Sequence, residues 1–90
     1  MSVKVIIAET FQSATGGLEV VEVEGKTLGQ CLKEAVKKYP GLQTLWFKSD
    51  KRLAPYILVL INGENTSQNK LSRKINAGDE IYPMLIIGGG

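Results

Sequence analysis

The chemistry that this 90-residue sequence could perform is concentrated at its end. No charged side chain follows Glu80, and residues 81–87 lead directly into Gly88-Gly89-Gly90. A carboxylate is a poor electrophile, but it becomes reactive once it is activated, for example as a mixed anhydride with AMP. Glycine has no side chain and adopts any backbone conformation, so successive glycines can carry a terminal carboxylate through a narrow channel of another protein. The sequence therefore predicts that Gly90 is the reactive residue.

The residues before the glycines argue against a tail without function. Three aliphatic residues, 85–87, stand directly before the glycine run, whereas a disordered tail is normally polar. Apolar residues at this place can dock on a partner and supply affinity, while the glycine backbone, which carries no side chains, enters the partner. We therefore expect a folded domain over residues 1–87 and a flexible glycine tail over residues 88–90.

Other chemistries lack the residues they require. The sequence contains no histidine, which excludes Ser-His-Asp and Cys-His arrangements, and zinc would find one thiol and no imidazole. No phosphate loop of the GxxxxGK[ST] form is present. The acidic pairs Glu22/Glu24 and Asp79/Glu80 are typical of solvated strand ends. We expect no enzyme activity without partner enzymes, no metal site and no cofactor bound by the chain itself.

Cys31 is the one soft nucleophile in the sequence. It lies between Leu28 and Leu32 on the apolar side of a predicted helix. A free cysteine in that setting behaves as a small hydrophobic residue, and a reactive thiol would need exposure and a lowered pKa. The pattern therefore favours a structural role.

Composition indicates one small globular domain. The hydrophobic fraction is 43%, and eleven basic and nine acidic residues give a formal charge of +2. The densest basic pairs, Lys51-Arg52 and Arg73-Lys74, do not form the stripe that nucleic-acid binders show. Residues 1–5 show neither the charged start nor the apolar stretch expected of a signal peptide, and the longest apolar run, residues 56–61, is too short to span a bilayer. We expect a cytoplasmic protein with neither nucleic-acid nor membrane partners.

The first half of the chain predicts a hairpin and a helix. Residues 3–8 and 18–24 have strand character and are joined by Thr15-Gly16-Gly17; Val20 breaks the alternation, so a bulge is possible there. Thr27 is placed to cap a helix, with Gln30 completing a capping box. The helix should end at Pro40-Gly41. Its apolar stripe repeats with a period of 3.6 and comprises Leu28, Cys31, Leu32, Ala35, Val36 and Tyr39.

The second half predicts two more strands. Residues 42–47 could form a short helical turn, residues 49–52 suggest an exposed loop, and residues 56–61 suggest a central strand buried on both faces. The last strand follows the turn at Ala77-Gly78-Asp79, and Pro83 should place it at an edge or make it leave the sheet. The first and last strands could pair side by side in the centre. The fold class is α+β, a mixed sheet of four to five strands with one main helix on one face.

Several short motifs along the chain are shared with one known family. They are Val3-Lys4-Val5-Ile6-Ile7-Ala8, Thr27-Leu28, Tyr39-Pro40-Gly41-Leu42, Asn62-Gly63-Glu64 and Ala77-Gly78-Asp79-Glu80-Ile81. Together with the glycine end they resemble the ThiS- and MoaD-like family of small sulfur carriers, which includes the molybdopterin synthase small subunit and the thiazole-synthesis sulfur carrier. The resemblance covers nearly the whole chain and implies a ubiquitin-like β-grasp fold. On this alignment Gly89-Gly90 is the family's diglycine, and Gly88 replaces a small variable residue.

The resemblance implies a mechanism carried out with partner proteins. An enzyme related to ubiquitin-activating enzymes would adenylate Gly90 with ATP and magnesium, and a sulfur donor would convert the adenylate to a thiocarboxylate. The spacing from Gly78-Asp79-Glu80 to the end favours the molybdopterin type, whose partner is the large subunit of molybdopterin synthase. The implied docking residues are Met84, Leu85, Ile86 and Ile87. Related small subunits carry a Pro-Pro pair or aromatic residues there, so the exact partner stays open.

Three alternatives remain open from the sequence. The same sulfur chemistry could serve another accepting enzyme, in thiamine or cysteine synthesis or in tRNA thiolation. A ubiquitin-like protein modifier would use the same free Gly90 to form isopeptide bonds with lysines. A purely structural module would bind a partner through its sheet, and the glycine tail would then be incidental.

Overall fold

The sheet that organises the protein has five strands in the order β2-β1-β7-β5-β6. The computed structural model describes residues 2–65 and 71–86. The expected α+β fold with a helix against one face of the sheet is confirmed. The elements are β1 (Val3–Ile6), a 3₁₀ helix (Glu9–Thr15), β2 (Val20–Val23), α1 (Leu28–Lys38), α2 (Leu42–Trp46), β3 (Phe47–Ser49), β4 (Arg52–Leu53), β5 (Ile57–Ile61), β6 (Glu64–Asn65) and β7 (Glu80–Leu85).

The first two strands form the expected antiparallel pair, but their connection is not a simple turn. The 3₁₀ helix fills it and ends at Thr15, and the following Gly16, with a left-handed backbone (φ 66°), caps the helix C-terminus. Pairing is regular from Val3↔Val23 to Ile6↔Val20, so the bulge considered at Val20 is wrong. Val20 is apolar but lies on the exposed face, which explains why it interrupts the alternation without disturbing the register.

Helix α1 begins where its sequence signals place it. The Thr27 hydroxyl accepts a hydrogen bond from the Gln30 amide (3.2 Å), and the Gln30 side-chain oxygen accepts one from the Lys26 amide (2.8 Å). Lys37 and Lys38 lie in the last turn, where positive charge stabilises the helix dipole. The predicted stripe faces the sheet, and its fully buried members are Leu28, Cys31, Leu32 and Ala35.

The core lies between α1 and the inner face of the sheet. Alternate residues of each strand point into it, following the two-residue period of extended chain. Helix α2, which confirms the short helical turn expected there, adds Leu42 and the fully buried Trp46. Trp46 packs edge-to-face on Phe11 at 6.2 Å and so holds the 3₁₀ helix. The five-stranded sheet contributes Val3, Val5, Val21, Val23, Ile57, Val59, Ile61 and Ile81 to the core.

The first and last strands lie side by side in the centre, as expected, with β1 parallel to β7. The prediction that Pro83 places β7 at an edge is wrong, because β7 lies between β1 and β5. The bonds Asn62 N to Glu80 O (2.8 Å) and Ile86 N to Tyr56 O (2.7 Å) show that the even-numbered amides of β7 face β5. The Pro83 nitrogen therefore faces away from β5. It lies on the β1 side, where the pairing extends only to Val5↔Ile81.

Two other expectations need correction. Strand β5 is not buried on both faces: Ile57, Val59 and Ile61 are buried, whereas Leu58 and Leu60 are half-buried on the opposite face. The loop expected at residues 49–52 is the turn of a second, two-stranded sheet, in which Phe47 pairs with Leu53 and Ser49 with Arg52. Strands of two or three residues are too short to show a period in the sequence.

Two turns are joined by side chains and fix the register of β5 and β7. The Asn62 side chain donates to the Asp79 carboxylate (3.1 Å) and accepts from the Glu80 amide (2.9 Å). The other Asp79 oxygen accepts from the Asn76 amide (2.8 Å). Asn62 has a left-handed backbone (φ 54°), which Gly63 continues (φ 80°). These contacts determine how far β7 extends beyond the turn.

The hydrogen bond from the Asn76 amide and that from the Asn62 side chain hold the pKa of Asp79 below its ordinary value. The stability that this carboxylate contributes is present above the pKa it has in the unfolded chain. It is lost as pH falls through the lower pKa of the folded state. We expect Asp79→Ala to cost about 1 kcal/mol near neutral pH, because the Asn76 amide loses its acceptor. Urea unfolding below about pH 4 should then show a smaller difference from the parent; an unchanged difference would contradict this role.

Candidate functional site

The last strand, β7, runs from the centre of the sheet to one of its ends. Strand β7 pairs with β5 through Ile57↔Leu85, and the Ile86 amide continues the ladder to the Tyr56 carbonyl. On its other side, β7 pairs with β1 only as far as Ile81. The final described residues therefore extend beyond the central pair, with β5 as their neighbour. The expected site residues Ile87, Gly88, Gly89 and Gly90 lie outside the described residues.

The expected docking residues do not share one face. Strand alternation places Met84 on the face opposite α1, and it is half-buried there. Leu85 points to the α1 side, where its strand neighbour is Ile57, and it is 37% exposed because it lies beyond the core. Ile86 is 46% exposed and continues the face on which Met84 lies. A partner that touches all three must therefore hold the strand end from both sides.

The face of the sheet opposite α1 carries an apolar surface, which we call the open-face patch. Cross-strand pairs build it: Leu58 lies opposite Met84, Leu60 opposite Tyr82, and Ile6 opposite Val20. Exposed Tyr56 and Ile86 continue it toward the chain end. The open-face patch consists of Ile6, Val20, Leu58, Leu60, Tyr82 and Met84.

Charged residues bound the patch at the opposite end of the strands. Lys4 lies in register between Glu22 on β2 and Glu80 on β7. The outer face is therefore charged where β7 begins and apolar where it ends. A contiguous apolar area bounded by charged residues is the pattern of a protein-binding surface.

Sequence reasoning missed most of this patch. It assigned Leu58 and Leu60 to a doubly buried strand, because a continuous apolar run fits that environment as well. Signals were nevertheless present. Ile6 and Val20 are apolar at positions where alternation calls for polar residues. These anomalies fall on paired strands, so together they mark one surface.

Cys31 takes no part in the site. Its side chain is fully buried on the sheet-facing side of α1, and a Cβ atom at Gly25 would lie 2.9 Å from its sulfur. Burial raises the pKa of the Cys31 thiol, and the charges of Asp79 and Glu34 raise it further. The thiol is held neutral and out of reach, which confirms the structural role.

Two further results concern other classes of function. Within residues 2–65 and 71–86, no three His, Cys, Asp or Glu side chains come together in a way that could hold a metal ion. The helices in this part of the chain do not combine the length and apolar character needed to cross a membrane.

Comparisons with known proteins agree with this geometry. The ThiS family model matches residues 5–90. A search of curated proteins gives no match. A chain of the Amycolatopsis orientalis BexX/CysO complex has 26% identity and a TM-score of 0.85, with 98% of this chain and 99% of that chain covered. SAMP1 from Haloferax volcanii has 28% identity and a TM-score of 0.82, with both chains covered completely.

A more distant similarity shows the fold alone. A chain from the complex of subunits 1 and 2 of molybdopterin-converting factor from Helicobacter pylori 26695 has 17% identity and a TM-score of 0.63, with both chains covered completely. Two of these three neighbours were solved as complexes between proteins. The family match over nearly the whole length and the similarity in fold lead to one conclusion. The protein belongs to the ThiS family of ubiquitin-like β-grasp sulfur carriers.

Proposed function

We propose that the protein carries sulfur as a thiocarboxylate on Gly90. The Gly90 carboxylate would attack the α-phosphate of ATP in an activating enzyme, with release of pyrophosphate. A sulfur nucleophile would then displace AMP from the acyl-adenylate. The observation that carries the proposal is the course of β7, which leads from the centre of the sheet past an apolar patch toward a glycine end.

The chain's own part in this chemistry is positioning. In the part of the chain that the structure describes, the side chains next to the end of β7 are mainly apolar, namely Tyr56, Met84, Leu85 and Ile86. ATP and magnesium would belong to the activating enzyme, which is of the type related to ubiquitin-activating enzymes. The open-face patch and Leu85 would hold that enzyme while the glycines reach its active site.

The finer proposal is that the thiocarboxylate delivers its sulfur to the large subunit of molybdopterin synthase, in the cytoplasm. Its support is the sequence resemblance and the position of Asp79, whose turn determines where β7 begins. The test mixes chemically prepared thiocarboxylate protein with that large subunit and the pterin precursor. Dithiolene product would support this branch. Failure with this subunit, together with sulfur release to another accepting enzyme, would contradict it.

A second candidate function is covalent modification of other proteins. The observation in its favour is the 28% identity to SAMP1, a small archaeal modifier protein, over the full length of both chains. In this case the adenylate would be attacked by a lysine amine rather than by sulfur. Affinity-tagged chain expressed in its own cells should then appear in a ladder of larger conjugates. Absence of conjugates under conditions that give thiocarboxylate would exclude this role.

The open-face patch gives a prediction about binding. Met84→Asp should weaken binding to the activating enzyme by about tenfold or more, because a charge would be buried without a partner at the interface. Glu22→Gln is the matched control, since Glu22 lies on the same face outside the patch. Isothermal titration calorimetry measures both. Equal affinities of the two variants, with unchanged melting temperatures, would show that the patch is not the docking surface.

A further inference from the structure

A second surface feature lies on the other side of the strand end. A groove of about 560 Å³ separates the β3–β4 hairpin from the segment that begins at Leu71. We call it the hairpin groove. The hairpin contributes Lys48, Lys51 and Arg52 to it, and Leu71 and Ser72 form the opposite wall. Its floor is apolar and includes Leu53, Ala54 and Ile57.

Backbone hydrogen bonds fix both walls of the hairpin groove. The Ala54 amide donates to the Trp46 carbonyl (2.8 Å), which ties the hairpin to α2. The Gly29 amide donates to the Leu71 carbonyl (2.8 Å), which ties the opposite wall to the first turn of α1. The groove is therefore formed before any ligand arrives, and a ligand would not bear the cost of ordering it.

The charged side chains that line the hairpin groove in the described part of the chain are all basic. Lys48, Lys51 and Arg52 are exposed, and no ion pair joins them to another residue in the part of the chain that the structure describes. No acidic side chain of this part lines the groove; Asp50 lines a smaller neighbouring groove, together with Lys33. Three exposed cations above an apolar floor favour a ligand with several anionic groups and some aliphatic surface.

The position of the groove links it to the chain end. Ile57, in the floor, is the strand partner of Leu85, and the adjoining Tyr56 carbonyl accepts the Ile86 amide. A protein that grips the end of β7 to reach Gly90 would therefore have part of its surface beside the hairpin groove. The open-face patch lies on the other side of the same strand end.

We propose that the hairpin groove binds an acidic peptide segment of the partner protein that takes the tail. This inference rests on the proposed function for the identity of the partner. A peptide fits better than a single inorganic anion because the groove is large and its floor is apolar, so aliphatic side chains could cover the floor while carboxylates meet the three cations. The contact would add electrostatic steering to the apolar docking on the open face.

The test uses the ¹⁵N-labelled full chain and the capped peptide acetyl-Glu-Leu-Glu-Glu-Leu-Glu-amide as the probe. Amide shifts should be confined to the residues that line the groove, which are the β3–β4 hairpin, Ala54, Ile57, Leu71 and Ser72, and binding should weaken as ionic strength rises. The double variant Lys48→Glu/Arg52→Glu should bind at least about tenfold more weakly. Its matched control, Lys37→Glu/Lys74→Glu, carries the same change in net charge away from the groove and should bind like the parent.

Other occupants are distinguished in the same experiment. The proposal is overturned if the peptide with Gln in place of Glu binds equally well, if the control variant loses as much affinity, or if inorganic phosphate gives the same shifts at the same concentration. A chain that ends at Ile87 should bind the peptide as the parent does; tighter binding would instead identify the chain's own tail as the occupant. None of these readouts depends on sulfur transfer, so the groove and the chemistry at Gly90 can fail independently.

Discussion

Removal of Gly89 and Gly90 should abolish activation of the chain while leaving its stability unchanged. The activating enzyme must bring a carboxylate to the α-phosphate of ATP. A chain that ends at Gly88 is too short by two residues, about 7 Å of extended backbone. Residues up to Ile86 form the described core and the β5–β7 ladder, so we expect the truncated chain to keep both. Pyrophosphate release and thermal melting measure the two effects.

A C-terminal amide on Gly90 distinguishes the effect of tail length from the effect of the terminal carboxylate. The amide keeps every backbone atom of the tail but removes the nucleophilic carboxylate, so it should bind the activating enzyme and release no pyrophosphate. Binding by both the amide and the full-length acid, with release by the acid alone, is the expected pattern. If the chain that ends at Gly88 still supports pyrophosphate release, the proposed role of the terminal glycines is wrong.

Leu32→Ala should be the most damaging single substitution in the helix. The Leu32 side chain is fully buried between α1 and the sheet, and its truncation removes apolar contacts and leaves a cavity. The expected loss is about 2–5 kcal/mol of unfolding free energy. A domain of this size has only about 5–15 kcal/mol in total. The helix would then hold the sheet weakly, and the strand end would lose its fixed position.

The neighbouring residue provides the matched control for this substitution. Lys33 is on the exposed side of the same helical turn, so Lys33→Ala should change stability by no more than about 0.5 kcal/mol. Urea unfolding followed by circular dichroism measures both variants. A loss below about 1 kcal/mol for Leu32→Ala would mean that α1 does not pack on the sheet as described.

Local signals in the sequence were sufficient to predict the helix and the inner face of the sheet. Thr27 and Gln30 fix the start of α1 through hydrogen bonds within one turn, and the stripe that includes Leu32 has a single period. Both features act over a few residues, so they survive in any tertiary context. Val21 and Val23 were likewise predicted correctly, because one buried face forces alternation.

Features that depend on which strands are neighbours could not be predicted. The missing amide hydrogen of Pro83 matters only on one edge of its strand, and the sequence does not say which edge β1 occupies or where its pairing ends. The outward positions of Leu58 and Leu60 follow from the same topology. The basic hairpin at Lys51-Arg52 was assigned to a loop, since pairs of two residues leave no pattern. The candidate site therefore consists of a chain end that the sequence predicts and of two surfaces, the open-face patch and the hairpin groove. Only the fold brings these two surfaces to the end of β7.

The central claim is that the Gly90 carboxylate exchanges oxygen for sulfur. The direct measurement is intact mass spectrometry, with fragmentation, after incubation with an activating enzyme, ATP, magnesium and a sulfur donor. The account predicts a mass increase equal to the difference between one sulfur and one oxygen atom, located on Gly90 and dependent on ATP. An unchanged Gly90 in a reaction that activates a known family member, or sulfur found on Cys31 instead, would contradict it.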